Sequence, residues 1–254
     1  MSEEKLKVGL VGVGVLGGVM KKWLETHTNH TVLCSDPPKN MNDDLSEADV
    51  VFIQLHIITE ADGSQDLTLL KSILAKLPNV PIFIRTTMKT GTCDALAKEF
   101  GKPIYFMPEF LTERTAYEDF CSQPMVFTAH YDLLKKVFPN KAHIIATSKE
   151  AEVIKYVHNV FGALKVTYFN AVYDYCEKNG CDFDVVRQGI LLSKYISPTH
   201  TSVPGPDGSF GYGGKCFPKD VKAFTDLAKG FPLYEILKEI EPLNAQFRAK
   251  PVKK

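Results

Sequence analysis

The sequence lacks the features that mark several large classes of protein. Neither charge is in excess, because 30 Lys and Arg cancel 30 Asp and Glu. No global field therefore draws the chain to nucleic acid or to an anionic membrane, and neither is expected as a partner. No apolar run approaches the ~20 residues a spanning helix needs. The start, Met1-Ser-Glu-Glu-Lys5, lacks the apolar core of a signal peptide. A soluble, cytoplasmic protein is expected. Six cysteines, at positions 34, 93, 121, 176, 181 and 216, form no Cys-x-x-Cys pair and no Cys/His ligand spacing. That argues against a disulfide framework and a structural zinc, leaving free thiols and no metal. Internal repeats and low-complexity segments are missing as well. What remains is a chain of 254 residues, enough for one large domain or two modest ones, each with a real core.

The first half alternates. Lys7 to Val13 is apolar and β-prone, and it runs into Gly12-Val-Gly-Val-Leu-Gly17 and an apolar stretch ending at Trp23-Leu24. In this strand, glycine turn and helix, Gly12 permits the bend, Gly14 lets a pyrophosphate approach the backbone, and Gly17 lets helix pack on strand. Phosphate would sit on the amides at the positive helix end. A second strand, Thr31 to Cys34, leads to Asp36, 19 residues past Gly17, where a carboxylate can accept ribose hydroxyls. Asp36 favours NAD over NADP, since a 2′-phosphate would meet a like charge, with Lys39 nearby as a counterweight. Alternatively, Asp36 only opens a turn with Pro37-Pro38.

Further strands are expected at Val50–Leu55, Ile82–Thr86, Ile104–Met107, Met125–Thr128 and His143–Ala146, with helices at Asp66–Lys76, Thr92–Lys98 and Tyr131–Val137. Strands spaced by helices predict an α/β fold, an N-terminal Rossmann domain over residues 1–148 with a doubly wound, mostly parallel sheet. Ligands bind beyond the carboxyl ends of such strands, where Arg85-Thr-Thr-Met88 and Met107-Pro-Glu-Phe-Leu-Thr-Glu113 fall.

The second half, residues 149–254, reads as a mainly helical domain around one long helix, Glu150 to Lys178, stopped by Asn179-Gly180. At full length it would measure about 40 Å. Val153, Ile154, Val157, Val160, Phe161, Leu164, Val166, Phe169 and Val172 leave it little solvated face, so a homodimer built on this helix is expected. Lys155 and Asn159 stand one turn apart on it, with Gly162 baring the same stripe. They read either as a cation and an amide presented together, or as a snorkelling lysine and a locally bonded asparagine.

Cys216 lies in Gly211-Tyr-Gly-Gly-Lys-Cys-Phe-Pro-Lys-Asp220, after a Gly/Pro-rich loop and ahead of a helix that Pro218 is placed to begin. Lys215 and Lys219 flank it. Cations and a helix N-terminus favour the thiolate, and thiolate is the nucleophile. The alternative is a small buried apolar Cys, which seldom sits in so polar a loop.

This segment resembles the catalytic signature of the UDP-glucose and GDP-mannose dehydrogenases. The likeness extends to "MPEFLTE" at 107–113 and "EAEVIKYVHN" at 150–159, with weaker matches at "ADGSQDLT" and "RTTMKTGT", in the family's order along nearly the whole chain. It implies oxidation of a nucleotide sugar's C6 alcohol to a carboxylate with two NAD. Cys216 would form a thiohemiacetal and then a thioester, Lys155 and Asn159 would stabilise the oxyanion, and Asp220, Glu113 and Thr87 would handle water. Glu109, Phe110, Leu111, Lys155, Asn159 and Gly213 would hold the sugar. Gly12, Gly14, Val15, Leu16, Gly17, Asp36, Thr87, Glu113 and Lys219 would bind NAD.

The chain also departs from the family. The family's C-terminal nucleotide-binding domain is not expected in this chain. Tyr195 stands where the family carries a sugar-contacting arginine, Leu55-His-Ile-Ile58 replaces a Val-Pro-Thr-Pro loop, and the link after Asp36 is short. His56 reads equally as a turn residue or a catalytic one. Three functions stay open: the nucleotide-sugar dehydrogenase, a 3-hydroxyacid dehydrogenase that also uses a lysine and asparagine four apart but no cysteine, and a noncatalytic or regulatory remnant of the same fold.

Overall fold

Residues 4–60 and 63–251 are described by the structure, a computed structural model. The chain divides into two units, one of residues 1–60 and 65–155, the other of 61–64 and 156–254. The strands of the first unit are β1 (Lys7–Val11), β2 (Thr31–Asp36), β3 (Met41–Asn42), β4 (Val50–Ile53), β5 (Ile82–Ile84), β6 (Ile104–Phe106), β7 (Met125–Phe127) and β8 (His143–Ile145). The helices among them are α1 (Val15–His27), α2 (Thr68–Lys76), α3 (Thr92–Phe100), α4 (Ala116–Ser122) and α5 (Tyr131–Val137).

Both faces of the central strands are apolar, as a sheet covered by helices on two sides demands. In β4 all four residues are buried. Phe52 packs with Val8, Leu10, Trp23 and Phe83 on one face, while Val51 and Ile53 pack with Ile82, Ile84, Leu70 and Leu74 on the other. The order is β3-β2-β1-β4-β5-β6, parallel throughout except for the β2/β3 pair. The chain leaves β1 for β2 on one side and returns to β4 on the other, which makes the carboxyl ends of β1 and β4 the switch point where such folds bind ligands.

Several boundaries shift, each for a local reason. β1 stops at Val11 because Gly12 turns at φ +80. β4 stops at Ile53, short of Leu55, because Thr86 Oγ1 takes both the N–H and the carbonyl of Leu55. Helix α2 starts at Thr68 because Asp66 accepts the Thr68 N–H. α4 follows a turn in which Asp119 gathers the Thr112 N–H and the Thr115 hydroxyl. β7 and β8 pair only with each other. There Thr128 Oγ1 donates to Phe106 O, a side-chain link where a backbone ladder would continue the main sheet.

Helix α6 (Ser148–Asn179) begins in the first unit and continues into the second. It starts two residues ahead of Glu150, because Thr147 and Glu150 cap it reciprocally: Thr147 N donates to Glu150 Oε2 at 2.7 Å and Glu150 N to Thr147 Oγ1 at 3.2 Å. It ends on Gly180 at φ +67, with Cys181 N bonded back to Cys176 O. The second unit adds α7 (Phe183–Leu191), α8 (Phe217–Leu227), α9 (Pro232–Leu237) and α10 (Ile240–Arg248). One cluster joins Val160 and Ala163 to Val221, Leu237 and Ile240, and another joins Phe169 and Cys176 to Phe183, Phe210 and Phe247. α6 is not buried all round: Val157, Phe161, Tyr168 and Tyr175, 50–67% exposed, form one apolar stripe along it. Among the described residues no helix is long and apolar enough to cross a membrane, and no cluster of His, Cys, Asp and Glu could hold a metal.

Candidate active site

The glycine turn distinguishes its three glycines. A Cβ on Gly12 would lie 2.4 Å from Gln54 O, and one on Gly17 would lie 2.1 Å from Gly12 O. At Gly14 it would meet nothing within 4 Å. Gly12 and Gly17 are thus demanded by the protein's own backbone, whereas Gly14 leaves an open approach at the N-cap of α1, which has no side-chain cap. Val15 and Leu16 open the helix there. Asp36, at the end of β2, accepts the Val13 N–H at 2.8 Å, and Lys39 Nζ donates to Val13 O at 2.6 Å. Both side chains therefore belong to the turn. A dinucleotide fits this set: an uncapped helix N-terminus, a bare glycine and a carboxylate at the adjacent strand end.

Deeper in the first unit lies a cluster of charge. Lys155 Nζ donates to Glu109 Oε1 at 2.9 Å and to the Glu109 carbonyl, and Glu109 Oε2 accepts the Leu111 N–H at 2.8 Å. Both side chains are buried, 5% and 7% exposed. Burial pushes the Glu109 carboxyl up, but Lys155, the Leu111 N–H and the Arg85 charge together hold it below its ordinary value. Arg85 is itself buried, which lowers its guanidinium to about 10 against the pull of Glu109. Its Nη1 lies 3.3 Å from Met20 Sδ, and its Nε finds no hydrogen-bond partner among the described residues. The ring of Phe110 lies 5.7 Å from Lys155 Nζ. Thr87 is buried, with its carbonyl accepting from Gln65 Nε2. Glu113 is exposed in a short 3-10 turn. Of the two acids in "MPEFLTE", Glu109 is the one at Lys155.

The second unit holds the thiol. Cys216 is exposed at the N-cap of α8, with the left-handed Gly214 two residues before it. Of the other exposed thiols, Cys121 lies in the last turn of α4, and Cys181 follows α6 and directly precedes Asp182, the N-cap of α7. One turn into α8, Asp220 N bonds to Cys216 O at 3.0 Å, and the Asp220 side chain is 1% exposed. Asn159 Nδ2 donates to Asp220 Oδ2 at 2.6 Å, and Lys219 Nζ donates to Oδ1 at 2.5 Å. His158 Nδ1 lies 3.0 Å from Asn159 Oδ1, so its N–H fixes which end of the amide faces Asp220. The bare backbone of Gly162 receives Phe217: a Cβ there would lie 2.8 Å from the ring's Cζ. Asn159 and Gly162 thus seat the residues that flank the thiol. Tyr195 is 92% exposed.

Arg85 falls in one of the strand-end segments expected from the sequence, whereas His158 and the amides of Asn170 and Asn244 that bind the glycine loop left no signal there.

The family model for the central domain of the UDP-glucose/GDP-mannose dehydrogenase family matches residues 149–246. The UDP-glucose 6-dehydrogenase of Rickettsia bellii (strain RML369-C) is 30% identical over 208 residues, 74% of this chain and 47% of that protein. The one from Pseudomonas aeruginosa is 30% identical over 230 residues, 80% and 49%. The chain spans about half the length of the curated relatives it matches. Among solved structures, a UDP-glucose dehydrogenase from Pyrobaculum islandicum superposes with a TM-score of 0.81 at 22% identity, covering 96% of this chain and 69% of that one. The 3-hydroxyisobutyrate dehydrogenase of Mycobacterium tuberculosis superposes at 0.70 and 16%, covering 96% of each. The structural likenesses show the shared fold, and in sequence residues 149–246 carry the central domain of the UDP-glucose/GDP-mannose dehydrogenase family.

Proposed function

We propose that the chain oxidises the primary alcohol of a nucleotide sugar, of the UDP-glucose type, to the carboxylate with two NAD and one water, through a thioester on Cys216. The carrying observation is the exposed Cys216 at the start of α8, one turn from a buried Asp220 held by Asn159. Gly12, Gly14, Val15, Leu16 and Gly17 would seat the pyrophosphate, Asp36 the ribose, and Thr87, Glu113 and Lys219 the rest of the cofactor. NAD, when bound, supplies the acceptor for the two hydrides.

The chemistry left to the chain follows from the substrate. An aldehyde carbon is trigonal and has no hydride to give until a nucleophile makes it tetrahedral. The Cys216 thiolate adds to it, forming a C–S bond and an alkoxide. Loss of hydride from that carbon leaves a thioester. Water then adds, the C–S bond breaks, and the thiolate and the acid separate. Oxyanions develop on addition and again on hydrolysis, and Lys155 and Asn159 would hold them with fixed donors. Asp220 would orient the water. Glu109, Phe110, Leu111 and Gly213 would hold the sugar. The apolar stripe of α6 supports a homodimer through the 150–178 helix, and we read the protein as a soluble cytoplasmic enzyme.

A hydroxyacid dehydrogenase would use Lys155 and Asn159 but has no task for Cys216, and a noncatalytic remnant has no task for any of these. An NADH-release assay across UDP-glucose, GDP-mannose, free sugars and short hydroxyacids separates them. The expected result is two NADH per acid formed, with Cys216→Ser abolishing acid formation, a loss of roughly a thousandfold or more. Full hydroxyacid activity in Cys216→Ala would establish the second reading, and absence of both NAD binding and turnover the third.

A further inference from the structure

The loop before Cys216 has no secondary structure to hold it, yet Phe210, Gly211 and Tyr212 are buried. Two buried amides in the second unit supply what a sheet ladder would. Asn244 of α10 accepts the Tyr212 N–H on Oδ1 at 2.7 Å and donates from Nδ2 to Tyr212 O at 3.0 Å, gripping one residue by both backbone groups. Asn170 of α6 accepts the Gly211 N–H at 2.9 Å and is itself anchored to Val166 O. The exposures of the two amides are 9% and 2%. The approach is close enough to forbid a side chain: a Cβ on Gly211, at φ +67, would lie 2.4 Å from Asn244 Oδ1. One turn further along α10, Arg248 lies over Gly213, 3.1 Å from where its Cβ would be, and its Nη1 pairs with Asp207 at 2.8 Å.

We propose that Asn244 is a positioning residue for Cys216, its carboxamide fixing the Tyr212 backbone so that the thiol is presented at the N-terminus of α8. Three residues separate Tyr212 from Cys216, and Asp220, which Asn159 pins at 2.6 Å, lies one helical turn beyond the thiol. The thiol segment is thus tethered at both ends, by α10 before it and by α6 after it. The carboxamide at 244 supplies both the acceptor and the donor. Asp offers the acceptor without the donor, Leu offers neither, and the backbone groups released would be buried without partners. The proposal rests on the reading of Cys216 as the nucleophile, but its test does not need turnover.

Cys216 is alkylated with iodoacetamide at neutral pH, and the modification of each cysteine is followed by peptide mass spectrometry in the unaltered chain, Asn244→Asp and Asn244→Ala. Loosening the loop removes the thiol from the helix end that favours thiolate, so the Cys216 rate should fall about threefold or more in Asn244→Ala, with Asn244→Asp between. Buried Cys176 is the internal control for global loosening. It should stay protected. An unchanged Cys216 rate, or a Cys176 that becomes reactive in parallel, overturns the proposal in favour of a purely structural asparagine. Should Asn244→Ala fail to fold, amide exchange in the unaltered chain decides. The Gly211 and Tyr212 N–H groups should exchange as slowly as α6, and exchange as fast as exposed Gly208 would overturn the assignment. A chain that forms no acid but whose Cys216 rate still answers to Asn244 refutes the proposed activity and leaves this inference standing.

Discussion

Glu109 in the first unit and Asp220 in the second are both nearly buried carboxylates, and each is held by a side chain of α6. Their surroundings differ. Glu109 faces the Lys155 ammonium, the Leu111 N–H and the charge of Arg85, so three positive or donating groups keep it ionised. Asp220 receives a neutral amide on one oxygen and the partly exposed Lys219 on the other, one turn from an exposed thiol. The first cluster is a closed charge pair that fixes an ammonium in place. The second is a buried carboxylate held by one neutral amide and by one lysine whose side chain is 17% exposed. In the proposed mechanism an oxyanion that recruits Lys155 must therefore compete with Glu109 for it, whereas Asp220 is already held by Asn159 and Lys219.

Breaking each pair should expose this difference. Lys155→Met leaves buried Glu109 with only Arg85 and the Leu111 N–H to answer it, and removing one partner of a buried pair costs about 3–5 kcal/mol. Trp23 is the only tryptophan and is buried in the first unit, so its fluorescence in denaturant reads this loss directly. A loss below about 1 kcal/mol would mean that Arg85 already neutralises Glu109. Asn159→Ala removes a neutral donor, leaving Lys219 on Asp220, and should cost less, about 1–3 kcal/mol. It should also raise hydrogen exchange across α8 while leaving the Trp23 transition in place. Equal effects of both substitutions on Trp23 would erase the contrast between the pairs.

A smaller effect follows from pH. Because Glu109 is held below its ordinary value of 4.5 in the folded chain, its contribution is present above that value and is lost as pH falls toward the folded value. Stability read at Trp23 should decline below about pH 4.5 in the unaltered chain, and Glu109→Gln should flatten that decline by about 1 kcal/mol. A decline of equal slope in Glu109→Gln would assign the acid sensitivity to other carboxylates.

The same contrast marks how far the sequence could be read. The alternation of apolar strands and helices, the glycine turn and the long α6 were legible because period and punctuation are local. Where the chain paired with something distant, legibility stopped. Leu55 reads as strand, but Thr86, 31 residues on, takes its backbone groups. Gly162 reads as bare backbone on the Lys155 and Asn159 stripe, and only the structure shows that the ring of Phe217 fills that spot. Both acids of "MPEFLTE" read as site residues, and only the fold shows that Glu109 meets Lys155 while Glu113 faces solvent. Uniform apolarity along α6 hid which face the second unit covers and which it leaves exposed. Asn170 and Asn244 were silent because an asparagine gripping a backbone looks like any other in sequence.

The glycine turn permits the finest test, since its three glycines read alike in sequence and differ in the structure. At Gly17 a methyl group would meet the Gly12 carbonyl at 2.1 Å, and at Gly12 it would meet Gln54 O at 2.4 Å, so either substitution must displace backbone. At Gly14 the backbone is at φ −70, which any residue adopts, and the added methyl meets nothing within 4 Å. Gly14→Ala should therefore leave the Trp23 transition within about 0.5 kcal/mol of the unaltered chain. If Gly14 is bare so that a pyrophosphate can approach, the same methyl should weaken NAD binding about tenfold, read by calorimetry. Full NAD affinity in Gly14→Ala would show that the turn shapes the fold without holding the dinucleotide. A loss of affinity at unchanged stability would place the cofactor's phosphates against the one glycine that the protein does not need for itself.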